Sequence, residues 1–232
     1  MKSNDVLDEW AERSGAYSPD YYAYYGPDET SERVRALLDE RVDTTDPILE
    51  LGCSSGRHLR HLQEEGYDDL HGIDVNADAF EVMVEEYPEL AHAMRFFADP
   101  IEEVVPDFDD DAFGAVFSVE TLQHVHPDNE WVFDELVRVA DDLIVTVEHE
   151  GPAEAEATDA GTTDAGATDS EAANAEAADA EATTAESVNY VHDEFPLYYR
   201  DWNAVFTDRG CEQVAVAEMD RDTLRAFHPP SA

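Results

Sequence analysis

Apolar positions along the chain fall into two rhythms that alternate from residue 47 onward. Short apolar runs at 48–51, 70–75, 93–98, 112–119 and 143–147 have the length of buried strands. Between them, residues 57–65, 77–86 and 128–140 carry apolar side chains at helical spacing, the last through Trp131, Phe133, Leu136, Val137 and Val139. Strand and helix alternating in this way predict a doubly wound α/β sheet, mostly parallel, with helices on both faces. After residue 188 the pattern predicts a helix over 197–207 and two last strands over 212–217 and 223–227. The polar stretch 218–222 between those strands is too short for a helical crossover, so they should pair antiparallel. The sheet is expected to have seven strands.

Ahead of the first strand, helical spacing recurs at 6–13 and again at 29–41, where Val34, Leu37 and Leu38 share a face. Between these two helices a loop is expected, and it holds five tyrosines in nine residues: Tyr17, Tyr21, Tyr22, Tyr24 and Tyr25. Such rings close over a ligand or fasten a helix pair to the core equally well. The segment 151–187 breaks the order. It lacks aromatic, Leu, Ile, Val and basic residues, so it cannot bury enough surface to offset its ordering entropy and is expected to be a disordered acidic insertion. The 232 residues thus divide into an N-terminal helical cap (1–45), a core (46–150), the insertion (151–187) and the remainder of the sheet (188–232), all within one domain.

Charge changes this picture most. Asp and Glu number 57 against 13 Lys and Arg, a formal charge of -44, and removing the ten acids of the insertion still leaves 47 against 13. The acidity therefore covers the folded surface. Lys2 is the single lysine. A surface of this kind repels itself in dilute buffer, whereas in molar salt the Debye length falls to about 3 Å and the repulsion is screened. A salt-adapted, halophilic cytoplasm is the expected setting, and a basic partner is the alternative. No basic face supports nucleic acid as a partner. No stretch approaches a membrane span, and the first ten residues lack the apolar core of a secretory signal. Cys53 and Cys211 are too few and too far apart for a disulfide framework, and the histidines show no metal-ligand spacing.

The candidate chemistry begins where the first strand ends. Glu50, Gly52, Cys53, Ser54 and Gly56 form a turn of small residues that leads into a helix, an arrangement that leaves backbone N–H groups open to a ligand. Against the dinucleotide fingerprint two of three glycines are missing, since Ser54 and Arg57 stand in their places. Against a GxGxG turn only Ser54 departs. Asp74, eighteen residues after Gly56 at the end of a strand, suits ribose hydroxyls in either case.

Taken together, the stretches 48–59, 72–76, 96–101 and 113–124 resemble the four successive motifs of the class I S-adenosylmethionine-dependent methyltransferases. The resemblance implies a Rossmann-like fold and S-adenosyl-L-methionine as cofactor. It implies that Glu50, Gly52, Cys53, Ser54 and Gly56 hold the methionine end and that Asp74 and Val75 hold the ribose. Asp99, Pro100 and Ile101 would then line the adenine, with Ser118, Val119 and Glu120 flanking the sulfonium. A non-catalytic S-adenosylmethionine-binding module and a nicotinamide-dependent oxidoreductase are the alternatives. A nucleophile that arrives protonated needs a base, and His124, His126, Glu148 and His149 follow the fourth and fifth strands, where ligands of such sheets lie. Tyr21, Tyr25, Tyr199 and Arg200 are candidates to contact the acceptor, which is expected to be a small molecule. Nothing in the sequence selects the acceptor atom.

Overall fold

The computed structural model describes residues 3–14, 18–150, 185–191 and 195–231. Nine helices among them run α1 (Ser3–Ala11), α2 (Pro19–Tyr25), α3 (Glu29–Asp39), α4 (Arg57–Glu64), α5 (Asp78–Glu86), α6 (Pro88–Ala93), α7 (Ile101–Val104), α8 (Val132–Val139) and α9 (Trp202–Thr207). The strands are β1 (Ile48–Leu51), β2 (Leu70–Ile73), β3 (Arg95–Phe97), β4 (Phe113–Val119), β5 (Ala140–Glu148), β6 (Ala185–Val191), β7 (Phe195–Arg200), β8 (Glu212–Glu218) and β9 (Thr223–His228). Seven of them form one sheet in the order β3-β2-β1-β4-β5-β9-β8. All pairs from β3 to β5 are parallel, and β9 runs antiparallel to both of its neighbours. The expected seven-stranded sheet and its antiparallel closing pair are both present.

Burial on both faces explains why the central strands read as unbroken apolar runs. Leu49 and Leu51 of β1 join one core with Phe133, Leu136 and Trp202, while Ile48 joins the other with Leu59, Leu62 and Phe117.

Three expectations need correction. The tyrosine segment is helical from Pro19, because Ser18 accepts from Tyr21 N and Pro19 occupies the first turn, where a missing N–H costs nothing. The helix expected over 197–207 begins only at Trp202. Residues 195–200 pair with 185–191 as a separate two-stranded ribbon, and Asp201 caps α9 by accepting from Ala204 N. Of the expected insertion, 185–187 belong to β6, and 151–184 lie outside the described residues.

The N-terminal helices sit over the carboxyl ends of the strands and are fastened there at several points. Asn129 Nδ2 donates to Ser3 Oγ (2.8 Å), Asn76 Nδ2 to the Arg13 carbonyl (3.2 Å), and the Tyr87 hydroxyl to the Ala23 carbonyl (3.2 Å). Arg57, which opens α4, pairs with Asp28 at 2.8 Å and lies over the Tyr22 ring.

Candidate active site

Two loops cross at the mouth of the sheet, the turn after β1 and the turn after β4. Gly52 has φ +67°, and a Cβ placed there would stand 2.0 Å from Thr121 Oγ1, so no side chain fits. Ser54 is also left-handed, at φ 47°, and its N–H donates to Asp74 Oδ2 at 2.7 Å. Asp74 Oδ1 accepts from Asn76 N at 2.8 Å. Each carboxylate oxygen thus keeps acceptor capacity for a ligand. Burial raises the Asp74 carboxyl above its ordinary value, opposed by these two hydrogen bonds.

A cavity of about 1100 Å³, its open mouth included, lies over these loops. Of the residues expected at a cofactor, Glu50, Gly52, Cys53, Ser54, Asp74, Val75, Pro100, Ile101, Val119 and Glu120 line it. Three do not. Gly56 faces α5 and α6, where a Cβ would meet Met83 and Leu90. Asp99 is exposed at the surface. Ser118 is buried, and its hydroxyl donates to Glu148 Oε1 at 2.5 Å. Glu50 is 1 % exposed, and its Oε2 has no hydrogen-bond partner among the described residues. Burial pushes its carboxyl well above the ordinary range. An unsatisfied buried carboxylate oxygen on a cavity wall is costly unless a ligand donor meets it, and the ammonium of an amino-acid moiety is such a donor. The residues present therefore fit S-adenosylmethionine.

The opposite wall comes from Tyr22 of the tyrosine segment and from residues the sequence did not announce. Val6 and Trp10 of α1, Tyr22 of α2 and His58 of α4 close over the cavity. His58 is buried against Ser31, 2.7 Å from Nδ1 to the hydroxyl, and burial together with Arg57 holds it neutral.

A second cavity adjoins the first. Trp10, Tyr22, Glu120 and His124 line both, and the second adds His149, Tyr199, Arg221 and Asp222. Glu120 is the hinge between them, held at φ 50°, a conformation that costs a non-glycine residue of order 1–3 kcal/mol and clusters at functional sites. Its Oε1 accepts from Arg221 at 2.7 Å. Beside it, burial and the neighbouring Glu120 push Asp222 up to about 8.

The four base candidates separate sharply. Glu148 is fully buried and lines neither cavity. It gathers the loop after β4 by accepting from Ser118 Oγ, Thr121 N, Leu122 N and Gln123 N. His126 also lies outside both cavities, with Nδ1 accepting from Asp128 N. His149 lines the second cavity alone, with Nδ1 against the Arg221 carbonyl. His124 is on the wall that the two cavities share.

The acceptor candidates separate in the same way. Tyr199 lines the second cavity, 5.3 Å from the His149 ring. Tyr21 and Tyr25 lie in tilted ring contact on the exposed side of α2, and it is Tyr22 that reaches the cavities. Arg200 is 1 % exposed, paired with Glu130, bonded to the Val125 carbonyl and ringed by Phe133, Tyr198 and Trp202. It braces the core and faces no ligand. Among the described residues no group of three or more His, Cys, Asp or Glu is arranged to hold a metal, and no helix is long and apolar enough to cross a membrane.

A sheet of this order, with a cavity beyond the carboxyl ends of β1, β2 and β4 and an acid closing β2, has the Rossmann-like architecture that the class I S-adenosylmethionine-dependent methyltransferases share. Residues 48–142 match the family model described as methyltransferase domain. No curated protein sequence matches the chain. Among solved structures, the 1,6-didemethyltoxoflavin-N1-methyltransferase of Burkholderia thailandensis is similar with a TM-score of 0.63 at 11% identity. That match covers 99% of this chain and 87% of the other. The magnesium protoporphyrin IX methyltransferase of Synechocystis gives 0.62 at 10% identity, covering 98% and 97%. The geranyl diphosphate C-methyltransferase of Streptomyces coelicolor gives 0.63 at 12% identity, covering 98% and 97%. At these identities the likeness is one of fold.

Proposed function

We propose that the protein transfers the methyl group of S-adenosylmethionine to a small-molecule acceptor held in the second cavity. The observation that carries this reading is the shared wall: Trp10, Tyr22, Glu120 and His124 border both cavities, so two ligands would meet there. When bound, the cofactor supplies an electrophilic methyl on sulfur. Glu50 and the turn through Gly52 and Ser54 would hold its methionine end, Asp74 its ribose, and Pro100 and Ile101 its adenine. What the protein then contributes is orientation and exclusion of water, and orientation of this kind is worth about 7–11 kcal/mol of a barrier. Trp10, Tyr22 and Tyr199 offer flat apolar walls to an acceptor at low entropic cost. Small-molecule ligands bound to two structures of the same fold, a didemethyltoxoflavin and geranyl diphosphate, support the size class.

The whole chain acts as one domain in this reading, and its acidity suits a salt-rich cytoplasm. The test is transfer of labelled methyl from S-adenosylmethionine into the small-molecule fraction of the source cells, in molar KCl. Label in small molecules supports the proposal. Label confined to protein or RNA, or none, overturns it.

A further inference from the structure

Resting on the methyl-transfer reading, we infer that His124 is the general base of the reaction, and that the acceptor attacks through an atom bearing a proton, a hydroxyl oxygen or an N–H nitrogen. His124 Nδ1 lies 2.8 Å from the Pro196 carbonyl of β7. A carbonyl only accepts, so Nδ1 carries the hydrogen and Nε2 of the neutral ring is left with a lone pair. Nε2 has no hydrogen-bond partner among the described residues, and it is not sealed from the cavities that the ring borders.

Three elements fix the ring. Pro196 sets its tautomer from one side, the Trp10 ring packs against it at 4.8 Å from the other, and its backbone belongs to the loop gathered by Glu148. The titratable and charged groups that face it across the second cavity are Glu120, His149, Arg221 and Asp222, with the phenols of Tyr22 and Tyr199. Burial holds the ring neutral down to about 4, opposed by the Pro196 carbonyl and Glu120, so its lone pair is available at neutral pH.

An acceptor X–H donates its hydrogen to Nε2, which turns a lone pair of X toward the methyl carbon. The X–C bond forms from that pair while the C–S bond breaks with its electrons left on sulfur. The X–H electrons stay on X, and the proton passes to Nε2 and then to water through the second cavity. A carboxylate, a thiolate or an alkene carbon has no such hydrogen to offer.

Two measurements test this. The first is ¹⁵N NMR of the imidazole nitrogens in the wild-type protein, which needs no acceptor. The inference expects His124 as the Nδ1-protonated tautomer, neutral at pH 6, and a ring protonated on Nε2 or charged at pH 6 overturns it. The second uses ¹³C-methyl S-adenosylmethionine with the small-molecule fraction of the source cells and a panel of alcohols, phenols, N–H heterocycles, thiols and carboxylic acids. The methyl is expected in an ether or on nitrogen; a methyl on carbon or sulfur, or in an ester, overturns the acceptor class. His124→Asn keeps an amide donor for Pro196 and loses the lone pair. It is expected to lower kcat at least about 100-fold, the scale of general base catalysis, with S-adenosylmethionine affinity within threefold of wild type. Labelled product with an unimpaired His124→Asn overturns the base role alone. No product from wild type overturns the methyl-transfer reading and the base role with it.

Discussion

Ser54 stands in the left-handed region at a position where the class resemblance calls for glycine. A side chain there costs roughly 1–2 kcal/mol, of which glycine would return part through its own larger unfolded-state entropy. Ser54→Gly is therefore expected to raise stability by about 0.5–1 kcal/mol, read as a higher urea midpoint at unchanged slope; a lower midpoint would mean the hydroxyl holds the turn. Buried histidines work against the fold as the pH falls. His124 is held down to about 4 and His58 is likewise depressed, so between pH 6.5 and about 4 the unfolded chain binds protons that the folded one refuses. Their contribution is fully present above pH 6.5 and is lost as the pH falls through that window. Glu148, raised to about 7, and Asp222, raised to about 8, act the other way, and the raised carboxyls of Glu50 and Asp74 act with them. The gap between the midpoints at pH 7.5 and pH 5 reflects both sets, and His58→Gln should shift it toward a relatively higher midpoint at pH 5. An unchanged gap would contradict the burial of His58. Most of the turn and Asp74 were legible from spacing together with the family resemblance, while the turn of Gly56 away from the cavity was not. The burial of Arg200 was not, because the sequence of β7 does not say that Phe133 and Trp202 close around it.

The loop after β4 joins the site to the sheet, and Glu148 holds it from the end of β5. In Glu148→Gln one acceptor oxygen becomes an NH2 facing a backbone N–H or the Ser118 hydroxyl. Leaving one buried donor unmet costs about 1–3 kcal/mol. The variant is expected to melt several degrees lower and to bind S-adenosylmethionine more weakly, since Glu120 and Thr121 lose their footing. Equal melting temperature and affinity would show that the loop stands without it. Glu148 was visible in the sequence as an acid at a strand end, but its place beneath the site depends on the parallel register of β4 and β5. The same limit applies to α2. Ser18 and Pro19 were a readable start signal, yet the seat of Tyr22 over Arg57 rests on the packing of α2 against α5, which no local pattern encodes. Strands that alternate with helices announce themselves through buried runs. A two-stranded ribbon such as β6 and β7, beside a compositionally polar segment, does not.

At the scale of the molecule, a formal charge of -44 makes solvent part of the structure. Screening removes self-repulsion as salt rises, so the melting temperature should climb from 0.1 M to 3 M KCl; a flat or falling profile would favour a basic partner instead. Two cavities under one N-terminal cap then tie fold to the proposed chemistry, with the proposed cofactor site on the side of β1 and β2 and the proposed acceptor site on the side of β5 and β9. The first cavity is proposed as the S-adenosylmethionine site, and titration calorimetry in 3 M KCl reads its occupancy without any acceptor. Wild type should bind S-adenosylmethionine at one site per chain, and a folded Asp74→Ala at least about tenfold more weakly, as expected when a charged acceptor is removed. Absence of binding by wild type, or equal affinity in the variant, would contradict the account.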